Sequence, residues 1–276
     1  MTGNLISKND WGTYDWGASS SEGGSQTDSN TTYVIHEQGP VAGTVATITY
    51  SNLKNSYYLD ENGTKHQISK IVRTFSNLLG TSRKHWADVN YHTSPNLYNN
   101  ANPALVIYGD PTDGFWYNWS DGVTLRDQFY DEQGNTINMS KNAYVSISSL
   151  NNEYRPEYSD DPDNSHVEGV KVISGGRALA LAGSSISVHD DNELYSDTNN
   201  SQNQPTQYKD WDSRKSPYQF YGSGIVKLNG SDLELRFFTR GNNKDVASNV
   251  WAYYSTIIPQ TDNPRDTIHY HFDVTK

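Results

Sequence analysis

The chain has 276 residues, 34% of them hydrophobic, with a formal net charge of −11 and no cysteine; its mean hydropathy is −0.81. The length is enough for a substantial core, in one large β domain or two small ones. The acidity argues against a general hold on nucleic acid or anionic membrane while leaving room for a local basic groove.

Zero cysteines exclude disulfides and thiol chemistry, without choosing between cytosol and exterior. No apolar run approaches the roughly 20 residues of a membrane span, so no membrane insertion is expected of this segment. With 20 Tyr and 7 Trp against sparse aliphatics, side chains with an apolar body and a polar tip carry much of the packing.

Residues 1–40 read as an N-terminal arm followed by a linker or loop. Trp11 and Trp16, in NDWGTYDWG, are expected to dock the arm, and GASSSEGGSQTDSNTT is too rich in Ser and Gly to pack. A single β domain is expected over 41–276. VAGTVATITY opens it as a β-branched, alternating strand, and YYLDENGTKHQI then places an acidic, Gly-containing turn between apolar flanks, as a hairpin does. In QISKIVRTFSNLL, Ile68, Ile71, Val72, Phe75, Leu78 and Leu79 fall at helical spacing, so periodicity favours a helix although the β-branched content suits a strand.

RKHWADVNYH sets Trp86 among polar and basic neighbours, where exposure is expected. DPTDGFWYNWSDGV then crowds Phe115, Trp116, Tyr117 and Trp119 between acidic turns. Strand alternation puts Phe115, Tyr117 and Trp119 on one face and Trp116 on the other. Trp116 or Trp119 is therefore expected to line a cleft as a ligand-binding ring while the other is packed inside. Trp116 is favoured as the exposed member because Phe115, Tyr117 and Trp119 make the more core-like face. In the cleft an indole could stack on a sugar ring while Asp110, Asp113 and Asp121 accept hydrogen bonds from hydroxyls. Core packing is the competing reading for each of these rings.

FYDEQGNTINM repeats the hairpin pattern, and neither turn has the remaining ligands of an EF-hand. AYVSISSL, VEGVKVIS, ISVHD, GSGIVKL, DLELRFF, NVWAYYSTIIP and TIHYHFDV are short strand-like runs separated by turn residues, a spacing that fits an antiparallel sandwich. Trp251 is expected between sheets. YKDWDSRKSPY places Trp211 in a polar setting, where partial exposure is expected. Lys209 and Arg214 beside it, with Arg83, Lys84, His85 and Lys215, could form a basic funnel interleaved with aromatics, as single-stranded DNA or a teichoic acid would require.

Asp160, Asp161 and Asp163 in YSDDPDN are the best calcium-ligand candidates, against an ordinary solvated turn. His269 and His271 share a strand face but lack a visible third zinc ligand. Acidic pairs such as Asp110 with Asp113 could serve a glycosidase, but nothing fixes their separation, and no GxSxG nucleophile motif is present.

TITYSNLKNSYYLDENGTKHQISKIVRTFSNL, VIYGDPTDGFWYNWSDGVTLRDQFYDEQGNTI, GSGIVKL, VWAYYSTIIP and IHYHFDV, in that order, resemble successive blocks of the family of glucan-binding protein C and the antigen I/II variable region, and also the adhesin domain of enterococcal aggregation substance. The resemblance runs from about Thr47 to the C-terminus. It implies an all-β, lectin-like antiparallel supersandwich with a few short helices in loops, and it makes ISKIVRTFSNL a strand against the periodicity count.

The resemblance also implies a non-catalytic adhesin of a Gram-positive, cell-wall-anchored surface protein, active in adhesion, aggregation or biofilm formation. No cofactor is required by it, and a bound calcium ion is admitted. Relatives hold glucans, host glycoproteins, or extracellular DNA and lipoteichoic acid, so the partner is expected to be an extracellular polysaccharide or glycoprotein, with DNA or lipoteichoic acid as the alternative. Met1 and Lys276 are expected to bound an excised extracellular module without the signal peptide and sorting sequence of full-length relatives.

Overall fold

β-branched and aromatic residues alternating with polar ones become strands when neighbours can pair with them, and here the inner strands of the sheets find two. A computed structural model of the chain describes residues 4–6, 32–36, 39–51, 53, 56–59, 62–80, 103–108, 111, 114–139, 143–158, 165–213, 216–241, 244–245 and 248–256. One five-stranded sheet has the order β1 (Asn4–Ile6), β2 (Thr32–His36), β7 (Ala104–Tyr108), β8 (Phe115–Ser120), β18 (Ser248–Ala252). A four-stranded sheet runs β12 (Gly176–Leu179), β15 (Gly224–Leu228), β10 (Tyr144–Ile147), β19 (Tyr254–Ser255).

The eight-stranded sheet runs β13 (Ile186–His189), β14 (Glu193–Ser196), β11 (Val167–Ser174), β16 (Asp232–Gly241), β9 (Gly122–Tyr130), β6 (Lys70–Leu79), β3 (Val41–Ser51), with β17 (Lys244–Asp245) folded back on β16. β4 (Tyr57–Leu59) and β5 (Lys65–Gln67) pair as the hairpin read from YYLDENGTKHQI. The pairing is antiparallel in all of these sheets, and among the described residues the helical pieces are 3-10 turns of three or four residues. The fold is the all-β sandwich expected from the sequence. Thr32–His36, inside the stretch read as arm and linker, pairs with β7 along its full length and buries Ile35.

One core joins the layers. Phe75, Val123, Leu125, Leu235 and Phe237 from the large sheet meet Leu105, Ile107, Phe115 and Tyr117 from the five-stranded sheet and Val145, Ile147 and Val226 from the four-stranded one. The Phe115 ring makes edge contacts with Phe75 at 5.0 Å and with Phe237 at 5.2 Å. Each such ring contributes about 1.5–3 kcal/mol through its removal from water.

The helix expected from the spacing in QISKIVRTFSNLL is not formed: Lys70–Leu79 is a strand paired on both sides, with β3 and with β9. A backbone irregularity produced the misleading count. Asn77 takes φ 53°, and the register with β9 shifts between Ser76 and Leu79. Phe75 and Leu78, three residues apart, are therefore both buried, a spacing that an unbroken strand forbids and a helix requires.

Arg73 on the same strand is almost completely buried. Its Nε and Nη2 donate to Asp127 Oδ1 and Oδ2 at 2.9 and 2.8 Å. The Tyr254 hydroxyl donates to the same carboxylate from the four-stranded sheet, and the rings of Tyr50 and Tyr254 lie near the guanidinium, at 5.5 and 5.4 Å. Burial alone would lower the Arg73 pKa, but the Asp127 charge and hydrogen bonds raise it well above the usual arginine range. Tyr50 in turn donates to the Tyr108 carbonyl, at the end of β7, over 3.1 Å. This cluster pins the three sheets together.

Candidate functional site

The aromatic strand β8 lies between β7 and β18 and is buried along its whole length. Trp116, expected to be exposed, is 7% exposed, and Trp119 is 6% exposed. Two features overturn the in-and-out assignment. The outer face of this sheet, carrying Ala104, Val106, Tyr108 and Trp116, is buried as well as the inner one, and Trp116 Nε1 donates to the Tyr108 hydroxyl at 3.1 Å. Trp119 has φ 54° and sits in a bulge, since Ser120 pairs with Ser248 and Asn118 with Asn249, so strict alternation stops one residue before it.

Between them lies Asn118, fully buried, with neither amide atom hydrogen-bonded. Sequence reasoning missed it; the one available signal was a lone amide within an otherwise aromatic strand. Burying such a group unpaired costs about 1–3 kcal/mol.

Where the two smaller sheets meet over the large one, a cavity of about 10 Å³ opens between β8 and β18 on one side and Ser148–Leu150 on the other, floored by Glu168, Gly169 and Phe237. That is room for about one water molecule. Glu168, 8% exposed, accepts from the Asn151 backbone N–H at 3.0 Å and from its side-chain amide at 3.3 Å, and lies 3.2 Å from His166 Nε2. The same imidazole nitrogen is 3.7 Å from Glu153.

Ser149, on the rim, holds φ 61°, a backbone strain of the sort that collects at binding sites. Burial, then the nearby Glu168 charge, push the Tyr117 phenol well above its ordinary pKa, so it is present as a neutral donor. The set supplies donors and acceptors for hydroxyl groups and no paired nucleophile and base. SHVEG, with His166 and Glu168 two apart and thus on one strand face, was the overlooked signal.

The remaining expected site residues scatter. Asp121 does not face the tryptophans: its carboxylate accepts from Arg236 at 2.9 Å, and its backbone bonds Leu79 and Thr239. Trp211, expected to be exposed, is 2% exposed. Its Nε1 donates to the Asn200 carbonyl at 3.0 Å, and its ring packs against Gly222, where a Cβ would come within 1.8 Å of it. The polar sequence around it is the outer skin of a loop folded over its own indole. Lys209 is exposed on that loop.

Asp110, Asp113, Trp86, Arg214, Asp160, Asp161, Asp163, His269 and His271 lie outside the described residues. Among the described residues no group of three His, Asp or Glu side chains could hold a metal ion, and no helix is long and apolar enough to cross a membrane. Trp251 is half-buried, in register with Trp116 and stacked on Tyr253 at 4.5 Å.

Against known families, the profile described as Glucan-binding protein C matches residues 7–255. The chain belongs to the Glucan-binding protein C family. The match reaches closer to the N-terminus than the sequence blocks that begin at Thr47. Among solved structures, the chain is similar to the glucan-binding protein C of Streptococcus mutans, an adherence protein, at 22% identity and a TM-score of 0.55, covering 86% of this chain but only 64% of that one.

It is also similar to the adhesin domain of PrgB from Enterococcus faecalis. The DNA-bound form matches at 19% identity and a TM-score of 0.57, covering 87% of this chain and 74% of that one. The form without DNA matches at 18% identity and a TM-score of 0.56, covering 87% and 70%.

Proposed function

We propose that this chain is the ligand-binding module of a non-catalytic, extracellular, cell-wall-anchored adhesin that holds a polymer, with neutral carbohydrate as the class. Membership of the Glucan-binding protein C family over residues 7–255 carries this reading. The sheet junction does not itself seat the polymer, since its cavity admits about one water molecule, but the groups that line it, Tyr117, Ser149 and Glu168, include no activated nucleophile of the kind covalent catalysis needs.

A second reading, extracellular DNA, is favoured by the DNA-bound enterococcal adhesin of similar fold. The net charge of −11 weighs against it, as does the engagement of Arg73, Arg126, Arg236 and Arg240 with carboxylates of the chain itself. Titrating the protein with a soluble neutral glucan and with single-stranded DNA in parallel tests the assignment. Retention of the glucan alone supports it, and retention of the DNA alone replaces it.

A further inference from the structure

The loop that buries Trp211 carries, on its outer side, an open groove of about 380 Å³, within the size range of small-ligand sites. Its backbone is stitched by short-range bonds: Trp211 N to the Tyr208 carbonyl at 2.9 Å, Ser213 N to Asp210 at 3.1 Å, and Ser216 N to Ser213 at 2.8 Å. Beneath it Tyr208 packs against Tyr218, Phe220 and Tyr221, with ring centroids 5.1 to 5.4 Å apart.

The side chains on this fixed base are uncommitted. Thr206, Gln207, Lys209, Asp210, Ser213 and Tyr218 line the groove, and their side-chain polar groups make no hydrogen bond or ion pair among the described residues. Three arginines elsewhere are paired: Arg126 with Asp232, Arg236 with Asp121, Arg240 with Glu193. Here Lys209 and Asp210, consecutive in sequence, have no such partner, and Pro217 and the Tyr218 ring add apolar surface.

The groove also connects to the sheet junction. Asp212, within the same loop, accepts from the Asn151 side chain at 2.9 Å, and Asn151 donates to Glu168.

We propose that this groove is a subsite for a neutral saccharide, adjoining the sheet junction. Lys209, Asp210 and Gln207 bond ring hydroxyls, and Tyr218 with Pro217 offers a face to the apolar side of the sugar. Lys209 and Asp210 are neighbours in sequence, and a neutral polyol can bond to both groups at once. The proposal rests on the carbohydrate reading and assigns it a place.

The test is to follow backbone amide shifts of the whole chain while titrating maltotriose and isomaltotriose, neutral glucose oligomers of different linkage. Shifts clustered at Gln207, Asp210, Ser213 and Tyr218 are expected with at least one sugar, with affinity falling roughly tenfold in Asp210→Ala through loss of a charged hydrogen bond. Gln207→Ala, also at an exposed position, supplies a second variant that leaves the fold intact.

Shifts confined to Tyr117, Glu168 and Trp251, with Asp210→Ala titrating like the parent, overturn the groove and leave the adhesin reading standing. Silence with both sugars, with a single-stranded oligonucleotide moving the groove resonances instead, overturns both. Silence with all three probes overturns the groove.

Discussion

Trp116, Trp119 and Trp211 are sealed for different reasons, and truncation exposes each reason separately. Trp116→Ala removes the donor to Tyr108, Trp119→Ala empties a bulge, and Trp211→Ala uncovers Gly222 and frees the Asn200 carbonyl. Each is expected to cost about 3–5 kcal/mol, read as a lower urea midpoint. A variant that keeps its midpoint while losing polymer binding would show that its ring faces ligand.

Alternation could assign Phe115 and Tyr117 to the core but could not foresee that the other face is covered too, which makes FWYNWS a continuously buried run. Nor could it foresee a positive φ at a tryptophan. For Trp211 the polar neighbours misled, because the residue that accommodates its ring, Gly222, lies beyond them and meets the indole only once the loop folds back.

At the level of elements, β6 shows what was legible and what was not. Its β-branched content pointed to a strand, its spacing to a helix, and a backbone irregularity near Asn77 separates the two. The buried ion pair it makes was not legible at all, since Arg73 and Asp127 meet only through strand register. Arg73→Met strands the Asp127 charge and is expected to cost about 3–5 kcal/mol, while adding Asp127→Leu should recover most of that. If the double variant is no more stable than the single one in chemical denaturation, the pair is not the pin described.

The turn read from FYDEQGNTINM rests on Asp131, whose carboxylate accepts from the backbone N–H of Gln133 and Asn135 at 2.9 and 2.7 Å. Desolvation pushes its pKa up, but the bonds from Asn135, Gln133 and Gly134 together outweigh it and hold it below the ordinary 3.8. The stabilisation is therefore complete above that value and lost as pH falls through the lowered one. The amide resonances of Gln133 and Asn135 should titrate in that acid range. Their indifference to pH there, or to Asp131→Ala, would remove Asp131 from the turn's support.

For the molecule as a whole, the sheets meet through groups that must remain neutral or paired. Burial first, then Glu168 for Tyr117 and Asp127 for Tyr254, raise both phenols well above 10.0. Above that pH the folded chain holds phenolic protons that the unfolded chain has released, so stability is complete below it and falls as pH rises through the folded values. Denaturation midpoints across the alkaline range should decline, and Tyr254→Phe should flatten the decline. An unchanged slope in that variant would place the alkaline sensitivity elsewhere.

The proposed ligand of this acidic sandwich is a neutral polymer held through hydroxyl-directed contacts. The most direct test is the affinity for a soluble glucan and for single-stranded DNA, measured on one preparation from low to high salt. Glucan binding is expected to change barely with salt, because no counterions are released. Binding restricted to DNA, and falling by orders of magnitude as salt rises, would contradict that assignment.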